Sequence, residues 1–456
     1  MSRVNLPRLA ATIRGGETHV GDEGYDTARQ VWNGAIDKRP EVIVSCLGTD
    51  DVLAAVAYAR KHDLGVSVRS GGHHVAGSSV LDGGVVIDVS PLREVKVDAD
   101  TRRVRIAGGA QLGDVDAATQ EHGLAVPLGV VSETGVSGLT LAGGYGWMRR
   151  KHGLSCDNVV SADIVTADGR ALHVDADEHP DLFWALRGGG WDLGVVTALE
   201  FEAHPTGPDV YLPFLTYPLS EGVGVLTNLR DFALAAPPEF GSIAVCWTFP
   251  HAEPFPRELW GEPFVGVAGP YVGDAGEGER VCAPLRDLGT VLTDMSGVVP
   301  WVDAQRFFDE DYPRGRRYFW KSAHLNDLDA DAASVIVDHA ARRPSPLTSI
   351  DLWINGGAIT DVPADATPIT NRGAPFMVGI ESNWDDPTHD RANIAWARET
   401  ATALAPLARP GAYLNFDDLA DPEAVRLAHG ANSERLAAVK RRYDPGNLFR
   451  SRGVLA

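Results

Sequence analysis

Three glycine-rich segments, RSGGHHVAGSS (69–79), GVVSETGVSGLTLAGGYG (129–146) and GGGWDLGVVT (188–197), fall close together in the first half of the chain. Each places small residues and free backbone N–H groups at a strand-to-loop junction, which suits a diphosphate and a flat ring. None has P-loop spacing, and none gives GxGxxG between a strand and a helix. One such cluster alone is an ordinary turn; three together predict a dinucleotide site. In the first, a glycine pair precedes two imidazoles, His73 and His74. Paired glycines let backbone approach a ligand closely, since no Cβ intervenes. An imidazole there could be a base, a metal ligand or a nucleophile toward a bound cofactor.

The chain has 456 residues, long enough for two domains with separate cores. Its formal net charge of -21 argues against nucleic acid and against an anionic membrane surface as partners. The N-terminal MSRVNLPRLAATIRGG lacks an apolar signal-peptide core, and no run of 18 apolar residues exists, so a cytoplasmic protein with no membrane span is expected. Cys46, Cys156, Cys246 and Cys282 are far apart and follow no metal-ligand spacing, which predicts buried thiols and no metal.

From about residue 41 short β-rich runs alternate with helical stretches. EVIVSCLG reads as a strand and TDDVLAAVAYARKHDL as a helix with Thr49 as its N-cap. GVSVRS, GGVVIDVS and RRVRIAGGA read as strands, QLGDVDAATQEHGL as a helix ending at Gly123, and ADIVTADGRALHV as a hairpin through Asp168-Gly169. Prolines punctuate 205–213, and the stretch 206–409, with GSIAVCWTF, RRYFWKSAH and SIDLWINGGAI, reads as a separate α+β domain with an aromatic-lined face. ERLAAVKRRYDPGNLF is a helix stopped by Asp444-Pro445.

The region 38–205 resembles the FAD-binding, PCMH-type domain of the vanillyl-alcohol-oxidase class, in its berberine-bridge-enzyme-like branch. The resemblance runs through RKHGLSCDNVVSADIVTADG and PDLFWALRGGG and resumes in AYLNFDDL and ERLAAVKRRYDPGNLF. It implies an α+β fold of two lobes: 1–205 with 410–456 for FAD, and 206–409, built on an antiparallel sheet, for the substrate. It also implies a covalent bond from His73 to the flavin 8α-methyl carbon, with His74 pointing elsewhere, and N–H groups of Ser70, Gly71 and Gly72 on the pyrophosphate. The other FAD contacts it implies are Arg69, Gly77, Ser78, Val131, Thr134, Gly135, Gly138, Gly143, Gly144, Tyr145, Gly146, Gly194, Val195, Val196 and Asn447.

Two departures from the family pattern carry information. Val131 stands where many relatives have a second flavin-attaching cysteine, so a single attachment is expected. Phe416, in YLNF, stands where many relatives have a catalytic tyrosine, which leaves Tyr413 and Asn415 as candidate catalytic residues. Lys321, His324, Trp353 and Asn355 are expected to line the substrate site. Thr134 falls where relatives gate oxygen access, and its small branched side chain favours an oxidase. The implied reaction is hydride transfer from a small alcohol, amine or phenol-conjugated carbon to FAD, with dioxygen as acceptor. A dehydrogenase with another acceptor, a noncovalent flavin reductase and an idle flavin-binding protein are the alternatives.

Overall fold

The apolar runs Val42–Ser45, Val66–Arg69 and Val85–Asp88 are neighbours in a parallel sheet, with Gly16–His19 added antiparallel at one edge. A parallel sheet is covered on both faces, so its strands are apolar throughout rather than alternating. The helix Thr49–Lys61 covers one face with Val52, Ala55, Val56 and Ala59. Its N-cap position is Gly48, not Thr49, and no side chain caps it. Asp51, in its first turn, instead accepts hydrogen bonds from the backbone N–H groups of Arg14, Gly15 and Leu47, tying the N-terminal strand to the helix. The computed structural model describes residues 7–9, 12–419 and 422–450; parts of the N-terminal and C-terminal segments read above lie outside the described residues.

A second sheet is antiparallel, in the order Val95–Asp98, Arg103–Ala107, Val195–Glu202, Val159–Val165, Ala171–Val174. The hairpin between its last two strands turns at Asp168-Gly169, with Gly169 at φ +81°.

The third sheet has eight antiparallel strands, drawn from residues between Phe214 and Arg409. Period-two alternation divides its side chains sharply. Ile350, Leu352, Ile354, Phe376, Val378 and Ile380 pack under the helices Gly222–Ala235, Ala330–Ala341 and Asp390–Leu404. Tyr318, Trp320, Trp353 and Met377 face the other way, onto Trp32, Tyr145, Trp147 and Tyr413. The aromatic face of this sheet is therefore laid against the glycine-rich segments.

Arg149 fastens the two together. It is fully buried and donates to the carbonyls of Gly146, Gly241, Ser242 and Ile354, with its guanidinium 5.1 Å from the Trp353 ring centroid. Burial, and then Arg150, pull its pKa down to about 9. The four cysteines are buried and unpaired with one another.

Candidate active site

Between the aromatic sheet face and the loops at 70–79 and 129–139 lies a cavity of about 150 Å³. The loops meet backbone to backbone. A Cβ on Gly71 would lie 2.5 Å from the Gly135 nitrogen, and one on Gly135 would lie 2.4 Å from the Gly71 nitrogen, so only glycine fits at either place. Beside this contact the hydroxyls of Ser70 and Ser79, which line the cavity, are buried with no hydrogen-bond partner. An unpaired buried hydroxyl costs about 1–3 kcal/mol. Two of them lining one cavity, with a glycine cradle, fit a polar ligand such as the diphosphate and ring edge of FAD.

His73 lines this cavity. Its ring stacks on Trp32 at 4.1 Å and 22°, and Trp32 stacks in turn on Tyr318 at 3.6 Å and 14°. The Trp32 indole N–H donates to the Tyr312 carbonyl. Burial lowers the His73 pKa, opposed by Glu133, whose Oε1 lies 3.5 Å from Nε2. The imidazole is therefore held neutral, with a free lone pair. His74, by contrast, is tied into the protein: its Nε2 meets the Leu414 carbonyl at 2.9 Å, and Nδ1 accepts from the Ala76 N–H and lies 3.0 Å from the Ser78 hydroxyl.

Two carboxyl groups from the sheet, Asp351 and Glu381, line the same cavity. Tyr312 Oη donates to Glu381 Oε2 at 2.7 Å, while Asp351 Oδ1 has no partner. Asp351 pairs across the strands with Gly379. A Cβ there would lie 3.0 Å from Glu381 Oε1 and 3.3 Å from the Phe416 ring, so the glycine keeps the space between the two acids open. Burial raises both pKa values, and the negative charge of Asp351 raises Glu381 further. Two buried carboxyl groups lining one dry cavity cannot both be ionised cheaply.

Val131, Thr134, Gly138, Tyr145, Trp353, Tyr413 and Asn415 line the cavity as well. Tyr413 Oη accepts from the Tyr145 N–H at 3.1 Å and from Asn415 Nδ2 at 2.8 Å. Burial pushes its pKa up to about 12 against these donors, so it stays protonated at neutral pH. Phe416 meets Trp320, Trp353 and Tyr413 edge-on.

Other expected site residues lie elsewhere. Lys321 alternates to the sheet's opposite face from Trp320 and holds Asp417 and Asp418 at 3.0 and 2.5 Å. His324 lines a separate, smaller cavity with Tyr413 and His429. Asn355 sits just beyond its strand, buried, donating to the Ala374 carbonyl at 3.1 Å. Arg69 is paired to Asp88 at 2.6 Å. Gly77 turns the chain at φ +60° beneath Ile36. Gly143 and Gly144 form a left-handed turn behind Tyr413 and Ser155, and Gly146 lies against the Leu128 carbonyl. Gly194, Val195 and Val196 are buried in and beside the second sheet, where Val195 and Val196 are core residues. Asn447 is exposed, next to Leu448, whose carbonyl accepts from the Val66 N–H, at the end of that strand remote from Ser70. None of these lines the main cavity.

Asp351, Glu381, Tyr312, Phe308 and Trp32 were not anticipated as site residues. The two acids had a signal: each is a lone charge inside an apolar run, SIDLWI and FMVGIESNW, of a strand with every residue buried. Among the described residues no cluster of three or more His, Cys, Asp or Glu could hold a metal, and no helix is long and apolar enough to cross a membrane.

Residues 40–175 match the FAD binding domain family and residues 412–453 the berberine and berberine-like family. The (R)-6-hydroxynicotine oxidase of Paenarthrobacter nicotinovorans is 32% identical, over 96% of both chains. The crystal structure of 6-hydroxy-D-nicotine oxidase from Arthrobacter nicotinovorans superposes with a TM-score of 0.86 at 30% identity, covering 99% of each chain. Glucooligosaccharide oxidase from Acremonium strictum, which carries a 6-S-cysteinyl, 8α-N1-histidyl FAD, shares the fold at 23% identity, with a TM-score of 0.85 over 97% of this chain and 98% of its own. Such matches run through the glycine cradle, the aromatic sheet and the C-terminal segment alike, and the chain belongs to the berberine-bridge-enzyme-like family of FAD-linked oxidoreductases.

Proposed function

We propose that this chain is an oxidase of a small organic molecule, with FAD bonded to His73 and dioxygen as the electron acceptor. The observation that carries the reading is one cavity lined both by a neutral, stacked imidazole and by a buried acid pair. In this reading residues 1–205 and 410–456 serve the cofactor, and 206–409 serve the substrate.

Bound FAD would supply the electron chemistry, its N5 taking a hydride from a carbon that bears a hydroxyl, an amine or a conjugated phenol. The backbone N–H groups of Ser70, Gly71 and Gly72 would face the diphosphate, and the orphaned hydroxyls of Ser70 and Ser79 would hydrogen-bond the cofactor. Trp320, Trp353, Phe308 and Phe416 exclude water and offer flat apolar walls to the substrate. Burial raises both Asp351 and Glu381, and the charge of Asp351 raises Glu381 further, so Asp351 ionises first. The ionised member accepts the substrate's O–H or N–H proton as the hydride leaves. Tyr312 orients Glu381 through its 2.7 Å hydrogen bond. Tyr413, whose hydroxyl already accepts from Tyr145 and Asn415, positions the loop rather than moving a proton.

The test is aerobic turnover on a panel of secondary and tertiary amines, benzylic and sugar alcohols and alkylphenols, read as hydrogen peroxide formed and as anaerobic bleaching of the flavin. Bleaching without peroxide, with slow return of colour in air, would make the protein a dehydrogenase. A panel that neither bleaches nor forms peroxide would count against turnover of these classes.

Oxygen access has its own test at Thr134, which lines the cavity and whose carbonyl accepts from the Leu112 N–H. Leucine there adds bulk to a close-packed wall. After anaerobic photoreduction and mixing with air-saturated buffer, Thr134→Leu should reoxidise roughly tenfold or more slowly than the parent, about 1.4 kcal/mol in barrier, with flavin content unchanged. Equal rates would place the oxygen route elsewhere.

A further inference from the structure

Glu133 follows the lost attachment position Val131 by two residues, and its carboxylate faces the imidazole of His73. Their nearest atoms, His73 Nε2 and Glu133 Oε1, are 3.5 Å apart. Both atoms are buried, and each lacks any other hydrogen-bond partner. Two orphaned polar atoms facing one another half an ångström beyond hydrogen-bond contact are complementary groups that a small closing movement joins.

Arg314 holds the acid in place. It reaches the site from the segment ahead of the strand Arg317–Leu325, donating through Nη2 to the Gly71 carbonyl at 3.2 Å, with Nε 3.8 Å from Glu133 Oε2. Trp32 fixes the plane of the imidazole by stacking. Ring plane, the partner of one nitrogen and the backbone ahead of His73 are thus all constrained, by three separate segments of the chain.

A carboxylate only accepts hydrogen bonds, so an imidazole nitrogen facing one carries the proton, and the other nitrogen carries the lone pair. We propose that Glu133, clamped by Arg314, is a positioning residue that fixes the Nε2–H tautomer of His73 and makes Nδ1 the nitrogen that bonds to the flavin. The inference rests on the reading that the flavin is linked through His73. In the step, one C–H bond of the 8α-methyl breaks and a C–Nδ1 bond forms. The methyl proton goes to solvent and the Nε2 proton to the Glu133 carboxylate. The two electrons pass to the flavin ring and from it to dioxygen, which with two protons becomes hydrogen peroxide, so atoms and electrons balance. Glu133 acts here as the aspartate of a Ser-His-Asp triad does in holding a tautomer.

The test uses parent, Glu133→Ala, Glu133→Gln and Arg314→Met, each expressed under riboflavin limitation and then given FAD. Total bound flavin and acid-precipitable flavin are followed in time, and the linked nitrogen is identified by NMR of the isolated flavin peptide. Glu133→Ala should bind FAD as the parent does but become covalent about a hundredfold more slowly, the lower end of what one positioned proton acceptor contributes. Glu133→Gln keeps an acceptor for Nε2–H but cannot take up the proton, so it should fall between the two and retain the Nδ1 bond. Arg314→Met should slow conversion by a smaller factor. Should Glu133→Ala fail to bind FAD, the glutamine and methionine variants decide: conversion at the parent rate in both overturns the assignment. So does a parent linked through Nε2, or Glu133→Ala converting at the parent rate. A parent that binds FAD with no acid-stable fraction overturns the linkage through His73 as well, which separates the two failures.

Discussion

Alanine at position 73 is expected to leave a folded protein whose flavin is released completely by acid. In the parent the acid pellet should stay yellow, and the tryptic peptide containing His73 should carry the mass of FAD. In His73→Ala all colour should move to the supernatant. The effect is complete because, among the described residues lining the cavity, no thiol is present and the one other imidazole, His74, is engaged. Val131, which lines the cavity, has an aliphatic side chain and is inert. Cys156 is buried outside the cavity lining, 3.7 Å from Asp157 Oδ1, and burial pushes its thiol far above the usual range. His74 has both ring nitrogens engaged, at Leu414 and at Ala76 with Ser78, and burial holds its pKa down to about 4. Losing the imidazole also uncovers one face of Trp32, an aromatic contact worth about 1 kcal/mol, which a melting curve should register as a modest loss. Flavin mass on Cys156 or His74 in either protein would refute this account of the site.

The two halves of the site were unequally legible, for a physical reason. Cavity-lining groups that come from contiguous loop backbone appear in sequence as contiguous small residues, so Ser70 to His73, Thr134, Gly135 and Gly138 could be found by reading along the chain. The opposite wall of the cavity is built on strands, where neighbours in sequence point to opposite faces. Reading FWKSAH as one unit joined Lys321 to Trp320, although Trp320 faces the cavity and Lys321 meets Asp417 on the other side. Reading SIDLWINGG for its tryptophan and asparagine passed over Asp351, which shares a face with Trp353, whereas Asn355 lies beyond the strand. Tyr312 and Phe308 come from an irregular segment with no periodicity to show which way they point. The α+β class showed in the mixture of strand-like and helical runs, whereas the antiparallel sheet came from the family resemblance, since the alternation of Arg317–Leu325 is broken. The Thr49 cap was misplaced because a helix start is defined by local backbone, and Asp51 satisfies its neighbours' N–H groups instead.

Glu381→Gln should lower kcat by about 10²–10⁴-fold, the range for losing a positioned general base, while covalent flavin content stays at the parent level. Glutamine nearly matches glutamate in volume and still accepts the Tyr312 hydroxyl, so the 2.7 Å hydrogen bond and the wall of the cavity survive. What disappears is the proton-accepting charge. The pH profile separates this from a merely structural effect. Burial and Asp351 raise Glu381 above its usual range, and a base works only when ionised. The parent's kcat/KM should therefore rise with pH, through an acid limb centred well above the ordinary glutamate value of about 4.3. Stability should shift in the opposite sense to activity. A carboxyl whose folded-state pKa is raised binds more protons folded than unfolded, so it destabilises the fold progressively as pH rises above the unfolded value. Melting curves should show Glu381→Gln more stable than the parent at neutral pH, with the gap closing as the pH falls below the unfolded value of about 4.3, where both states of the parent become protonated. A variant with parent kcat and an unshifted acid limb would remove the acid pair from the reaction. A variant no more stable than the parent at any pH would show that Glu381 is not held protonated by its burial beside Asp351.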